Sequence, residues 1–133
     1  MEIKNTKCVI LAGGKGSRLS EYTTKIPKPM VKIGGKPILD HIINYYKYFG
    51  VNEFIIAAGY KFKLIRDYYE NKKNKNFNIK VINTGLNTLT GKRIKKLEKF
   101  FSDNENFYLT YGDGVSNVNL KKVLKLHKSK KAI

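Results

Sequence analysis

The fold is decided around residues 9–30, which read VILAGGKGSRLSEYTTKIPKPM. An apolar run at residues 8–11 leads into a glycine-rich segment at residues 13–18, and Pro27-Lys28-Pro29 follows. Glycines let backbone N–H groups approach an anion because no Cβ lies in the way. Prolines fix φ on both sides of Lys28, so this lysine is expected on a stiff, extended segment. The stretch predicts a buried strand that ends in a loop suited to a nucleoside triphosphate.

Composition predicts one globular domain over residues 1–133, because 133 residues with 41% hydrophobic side chains can build a core. The net charge is +17, but only Arg18, Arg66 and Arg93 are arginines and the lysines are scattered along the chain. Nucleic acid is therefore not an expected partner, since base and phosphate recognition favours arginine. No signal peptide or membrane-spanning run is visible, so we expect a cytoplasmic protein. The single cysteine, Cys8, is expected to be a buried structural thiol.

Apolar runs alternate with helical patterns along the chain. The predicted strands are residues 8–11, 54–58, 79–82 and 107–111, and the predicted helices are residues 37–49, 62–71, 91–101 and 119–128. This alternation predicts an α/β fold with a doubly wound, mostly parallel sheet. Ala132 and Ile133 resemble the start of another strand. We therefore expect the N-terminal portion of a longer catalytic domain.

Two other kinds of phosphate loop do not fit the glycine segment. A dinucleotide fingerprint would place a third glycine where Leu19 stands and an acid at the end of the second strand, where residues 57–60 have none. A P-loop would close with Gly-Lys-Ser/Thr, whereas this segment closes with Gly16-Ser17-Arg18. The loop is therefore expected to hold a mononucleotide triphosphate in another way.

Gly112-Asp113-Gly114 follows the last predicted strand, at the edge of the sheet where the glycine loop is expected. A carboxylate in that position suits Mg²⁺ that is shared with substrate phosphates. The alternative is an ordinary aspartate in a turn. We expect Asp113 to be a metal ligand.

The order of motifs LAGGKGSRL, PKPM, GGKPIL, NTGLNTLTGKRI and YGDGVSNV resembles the sugar-phosphate nucleotidylyltransferase family, and within it the glucose-1-phosphate cytidylyltransferase branch. The resemblance covers essentially the whole chain. It implies a nucleotide-diphospho-sugar transferase-like fold and an enzyme that joins CTP to a hexose 1-phosphate, with glucose 1-phosphate as the expected substrate. The products would be a CDP-sugar and pyrophosphate, and Mg²⁺ would be the cofactor.

The resemblance also implies roles for individual residues. Arg18 and Lys28 resemble catalytic residues, and Asp113 resembles the metal ligand. The residues that resemble nucleotide contacts are Leu11, Ala12, Gly13, Gly14, Lys15, Gly16, Ser17, Arg18, Lys28, Thr88 and Arg93.

Three alternatives stay open on the sequence alone. The enzyme could use another nucleoside triphosphate or sugar 1-phosphate, the chain could be a nucleotide-binding module without turnover, or its basic surface could dock acidic partners or RNA. A homo-oligomer is also compatible with the sequence. No membrane partner is expected.

Overall fold

A four-stranded parallel sheet forms the centre of the structure, a computed structural model that describes residues 3–16, 24–72 and 77–131. The sheet order is β5-β4-β1-β6, and β1 pairs in parallel with both β4 and β6. In chain order the strands are β1 (Lys7–Ala12), β2 (Lys32–Ile33), β3 (Lys36–Pro37), β4 (Glu53–Ala58), β5 (Asn78–Asn83) and β6 (Phe107–Tyr111). The four strands of the central sheet are those that the apolar runs predict, to within one residue at each end.

Helices cover both faces of this sheet. They are α1 (Ile38–Tyr48), α2 (Phe62–Glu70), α3 (Thr90–Lys95) and α4 (Leu120–Lys130). One core cluster joins Cys8, Ile10 and Ala12 of β1 to buried residues of α1, α2 and α4. The alternate residues of β1, Val9 and Leu11, belong to a second cluster on the α3 side. This arrangement confirms the predicted doubly wound fold.

The backbone or side-chain group that caps one end of each of two helices can be identified. Helix α1 ends in a Schellman motif, in which Gly50 N–H donates to Lys47 O (2.9 Å) and Val51 N–H donates to Tyr46 O (3.2 Å). Gly50 has a φ of 104°, which a residue with a side chain rarely adopts. Helix α4 begins after Asn119, whose side chain accepts a hydrogen bond from the N–H of Lys122.

The single helix predicted over residues 91–101 is wrong. Helix α3 ends at Lys95, and a separate 3₁₀ turn, Glu98–Phe100, follows it. The apolar residues Ile94, Leu97 and Phe100 are three apart, a spacing that matches the three residues per turn of a 3₁₀-helix. Tightening the chain keeps these residues against the sheet, where Leu97 is fully buried.

The extended segment predicted around Lys28 is also wrong in part. Pro27 is extended, but Lys28–Met30 forms a 3₁₀ turn in which Met30 N–H donates to Pro27 O (2.8 Å) and Val31 N–H donates to Lys28 O (3.1 Å). These backbone hydrogen bonds stabilise the turn. Pro29 has no N–H, so the turn leaves no donor without a partner at that position. Lys28 is therefore presented by a tight turn.

A buried carboxylate ties α1 to α2. Asp40, 8% exposed, accepts hydrogen bonds from Tyr68 OH (2.7 Å), Tyr69 OH (2.8 Å) and Lys72 Nζ (3.0 Å). Burial opposes ionisation of this group, but the hydrogen bonds outweigh it and hold the pKa of Asp40 below its ordinary value. The ionised form of Asp40 therefore stabilises the packing of these two helices.

No helix among residues 3–16, 24–72 and 77–131 is long and apolar enough to cross a membrane. The further strand predicted to begin at Ala132 lies outside the described residues.

Candidate active site

The glycine loop begins directly after β1, at the carboxyl edge of the sheet. Gly13 O accepts hydrogen bonds from the N–H of Tyr60 (3.2 Å) and from Nη2 of Arg93 (3.1 Å), which join the loop to the segments after β4 and β5. A Cβ on Gly13 would collide with the Arg93 guanidinium, whereas a Cβ on Gly14 would have no atom of the described residues within 4 Å. Gly13 therefore makes room for protein, and Gly14 leaves an open surface.

Lys28 and Asp113 form an ion pair at the same edge. Lys28 Nζ lies 2.9 Å from Asp113 Oδ2, and both side chains are partly exposed. Gly112 permits this approach, since its N–H donates to Leu11 O (2.8 Å) and a Cβ there would lie 3.2 Å from Pro29 Cγ. The two residues that the sequence predicts for catalysis and metal binding are therefore brought together.

The loop between β5 and α3 forms a third wall and is held from within. The hydroxyl of buried Thr84 donates to Ala58 O (2.8 Å), while Thr84 O accepts from Thr88 Oγ1 (2.6 Å) and Lys96 Nζ (2.9 Å). Gly85 has a φ of 96°, a conformation that favours glycine. The loop is thus pinned to β4 and to α3 at once.

Arg93 reaches into this region from α3 and is only 6% exposed. Its terminal nitrogens donate to protein oxygens in both loops. Burial lowers the pKa of Arg93, and among the described residues no carboxylate forms an ion pair with it. A guanidinium nevertheless stays protonated in proteins. Its charge therefore lies at the site without a counter-charge from the described chain.

These segments enclose a cavity of about 280 Å³. The predicted site residues that line it are Leu11, Ala12, Gly13, Gly14, Gly16, Lys28, Thr88, Arg93 and Asp113. Lys15 is exposed and does not line the cavity. Ser17 and Arg18 lie outside the described residues. The predicted convergence of the strand ends on one site is therefore found for nine residues on separate segments.

Among the described residues, four more line the cavity that are not predicted site residues, namely Pro29, Leu89, Thr90 and Tyr111. Leu89 is 80% exposed and Tyr111 is 60% exposed, although both are large and apolar in character. The only signal in the sequence is position, because each is one or two residues from a predicted site residue. They add exposed apolar surface to a site that otherwise offers backbone and charge.

A larger groove of about 1040 Å³ lies at the opposite edge, where the strands begin. It is lined by Phe49, Val51, Phe77 and Leu124 together with several lysines. Ligands of open α/β sheets bind at the carboxyl ends of the strands. The smaller cavity, which holds the predicted residues, is therefore the candidate active site.

A parallel α/β sheet with a glycine loop at its carboxyl edge is found in many nucleotide-binding proteins, and in this chain a lysine–aspartate pair lies at the same edge. The chain belongs to the nucleotidyl transferase family, whose profile matches residues 7–133. It is 44% identical to a probable glucose-1-phosphate cytidylyltransferase of Bacillus subtilis, over 95% of this chain and 57% of that protein. It is 41% identical to the glucose-1-phosphate cytidylyltransferase of Salmonella typhimurium, over 92% of this chain and 56% of that protein.

Other relatives are named for a guanine nucleotide instead of a cytosine nucleotide. A D-glycero-alpha-D-manno-heptose 1-phosphate guanylyltransferase of Campylobacter jejuni is 37% identical, over 93% of this chain and 54% of that protein. Among solved structures, HddC from Yersinia pseudotuberculosis complexed with GMP-PN matches with a TM-score of 0.78 and 33% identity, over 92% of this chain and 54% of that one. The chain thus spans little more than half the length of each of these four relatives.

Proposed function

We propose that this chain is the nucleotide-binding part of an enzyme that joins CTP to glucose 1-phosphate, giving CDP-glucose and pyrophosphate. The observation that carries the proposal is the cavity at the carboxyl edge, where open backbone at Gly14 meets the Lys28–Asp113 pair. The cytidylyltransferase names of the two relatives that are 44% and 41% identical support CTP and glucose 1-phosphate.

The residues suit this reaction because it needs positive charge more than a general base. A phosphate oxygen of the sugar phosphate, already ionised at neutral pH, attacks the α-phosphorus of the triphosphate. The bond from that phosphorus to the oxygen of the leaving pyrophosphate breaks. Cations that stabilise the charge on the transferred phosphoryl group accelerate such a displacement. Lys28 supplies one cation at the cavity, and the resemblance assigns a second to Arg18.

Asp113 is the residue that would hold Mg²⁺. Among the described residues no group of three or more His, Cys, Asp or Glu side chains could hold a metal ion. A single partly exposed carboxylate still fits this ion, because Mg²⁺ is commonly held by one or two carboxylates together with substrate phosphates. When bound, the ion would neutralise charge on the phosphates. In the protein alone, Lys28 neutralises the same carboxylate.

The test is an assay of pyrophosphate release by the enzyme at the full length of its relatives. Each of the four nucleoside triphosphates is offered with glucose 1-phosphate and with other sugar 1-phosphates, in the presence of Mg²⁺. We expect CTP with glucose 1-phosphate to give the highest kcat/KM. The second candidate function is the transfer of a guanylyl group from GTP to a heptose 1-phosphate, which the guanylyltransferase relative supports. Preference for GTP with a heptose 1-phosphate would favour this candidate. Binding without turnover by any pair would leave only a nucleotide-binding module.

The 133-residue chain by itself is expected to bind CTP weakly and to produce no CDP-glucose. Strand β6 is the edge of the central sheet, and it exposes Leu109 (46%) and Tyr111 (60%). An open, apolar sheet edge favours association with other chains. Light scattering should therefore detect aggregation of the isolated chain. Robust turnover by the isolated chain would show that catalysis does not require the remaining part of the relatives' length.

A further inference from the structure

We propose that Arg93 is a positioning residue, which sets the direction of the Gly13–Gly14 peptide in the cavity, and that it does not contact a phosphate itself. The resemblance assigns Arg93 to the nucleotide contacts, and the geometry points to an indirect role. The proposal rests on the proposed function in one respect, namely that a nucleoside triphosphate occupies this cavity.

The first step is that protein oxygens already occupy the terminal N–H groups of Arg93. Nη1 donates to Thr84 Oγ1 (2.7 Å) and to Gly85 O (2.7 Å). Nη2 donates to Gly13 O (3.1 Å) and to Leu86 O (3.3 Å). The two nitrogens together carry four N–H groups, which equals the number of these acceptors. A phosphate could bind them only by displacing backbone carbonyls that hold the two loops together.

The second step is the direction of the peptide that Arg93 holds. Gly13 O is fixed by two donors, Arg93 Nη2 and the N–H of Tyr60. In a planar trans peptide the N–H of the next residue points opposite to the carbonyl. The N–H of Gly14 is therefore directed away from Arg93, and within the described part of the chain no acceptor takes it. Because Gly14 lines the cavity, this N–H is a donor available to a ligand there.

The third step is that neighbouring glycines provide the space that Arg93 fills. A Cβ on Gly13 would collide with the guanidinium, and a Cβ on Gly59 would lie 2.7 Å from Arg93 Nη1. Both glycines are thus required by the position of the arginine. Its buried charge has neutral acceptors, so it still raises the potential at the cavity wall and favours an anionic ligand without contact.

The test uses the enzyme at the full length of its relatives and begins without ligand. Arg93→Lys keeps the charge but concentrates its donors on one atom, so it cannot span the acceptors in both loops. The amide of Tyr60, which donates to the same Gly13 O, should then exchange its hydrogen at least about tenfold faster, because the carbonyl that it binds has lost its second, charged donor. The matched control is Lys92→Met, which removes a charge from the exposed side of the same helix. Unchanged Tyr60 exchange in Arg93→Lys would overturn the proposal.

The second measurement compares two ligands by NMR titration, each with Mg²⁺. In this proposal the Gly14 N–H donates to the nucleoside part of CTP, which inorganic tripolyphosphate lacks, and the charge at position 93 is retained. For Arg93→Lys we therefore expect CTP to bind about tenfold or more weakly, while tripolyphosphate keeps its affinity within about twofold. Equal losses for both ligands would indicate a direct phosphate contact, or general damage, and would overturn the positioning role. In the wild type, the side-chain ¹⁵N resonances of Arg93 should move little on adding CTP, while the Gly14 amide shifts. A large shift of those Arg93 resonances with tripolyphosphate alone would likewise overturn the proposal.

The two proposals fail in different ways. If wild-type protein binds no nucleoside triphosphate, the proposed function is refuted. The exchange rate of the Tyr60 amide in ligand-free Arg93→Lys still decides whether Arg93 orients the loop.

Discussion

Replacing Gly59 by alanine should destabilise the fold strongly, although the change adds only one methyl group. Gly59 follows β4, and its ideal Cβ would lie 2.7 Å from Arg93 Nη1, 3.1 Å from Gly13 O and closer still to Gly85 O. Two of these three atoms belong to the backbone, so no side-chain rotation can relieve the overlap. Overpacking costs roughly 1–3 kcal/mol, and a displaced hydrogen bond from a charged donor adds about 1.5 kcal/mol or more. We expect a loss of about 3 kcal/mol in the free energy of unfolding.

Urea and thermal unfolding, followed by circular dichroism, would measure this loss. For a domain of this size, about 4 °C of melting temperature is lost for each kcal/mol, so a fall of roughly 12 °C is expected. The matched control is Gly91→Ala on α3, where an added Cβ has no atom within 4 Å. That substitution should stabilise the protein by about 0.5–1 kcal/mol, since alanine favours a helix over glycine. A Gly59→Ala protein within about 0.5 kcal/mol of wild type would refute the reasoning.

Three further predictions concern charged groups. Lys28→Ala in the full-length enzyme should lower turnover by on the order of a hundredfold or more, with little change in folding, because Lys28 is a surface cation at the cavity. Pyrophosphate release near the wild-type rate would contradict this prediction. The resemblance predicts a similar loss of turnover for Arg18→Ala. Asp113→Asn should abolish Mg²⁺-dependent turnover and affect the binding of free nucleotide less, and an unchanged Mg²⁺ profile would leave Asp113 as a turn residue. Asp40→Asn should destabilise the protein most near neutral pH, because the folded state lowers the pKa of Asp40 and the stability it contributes is lost as the pH falls below about 4. Urea unfolding between pH 7 and pH 3 would measure this, with exposed Asp103→Asn as the control, and a pH-independent difference would count against the assignment.

The sequence predicts the strands of the central sheet well because each is a short, buried, apolar run. It does not predict the order of these strands in the sheet. Which strands pair with β1 depends on which face of the sheet each connecting helix covers. The hairpin of β2 and β3 was missed, although Gly34-Gly35 between them is a turn signal, with φ of 59° and 79°. Two residues on each side are too few to give an alternating pattern. The predicted helix is longer than α3 because apolar residues three apart, such as Ile94 and Leu97, are compatible with an α-helix as well as with a 3₁₀ turn.

The candidate site could be predicted as a set of residues but not as a set of contacts. The rule that ligands bind at the carboxyl ends of parallel strands places Gly14, Lys28, Thr88 and Asp113 at one edge. Nothing in the local sequence shows that Lys28 pairs with Asp113, because that distance depends on how closely the 3₁₀ turn approaches Gly112. Contacts of this kind arise only when segments far apart in the chain are packed together.

The glycines of the site have two different functions, and the structure separates them. Within the described part of the chain, no atom lies within 4 Å of the position of a Cβ on Gly14 or Gly114, so the space they leave is available to a ligand. At Gly13, Gly59 and Gly112 the same space is occupied by protein, by Arg93 at the first two and by β1 and Pro29 at the third. Alanine at the second group should therefore reduce stability together with binding, whereas alanine at Gly14 should reduce binding alone. A glycine-rich motif of this family thus specifies the internal support of the loop as well as its open surface.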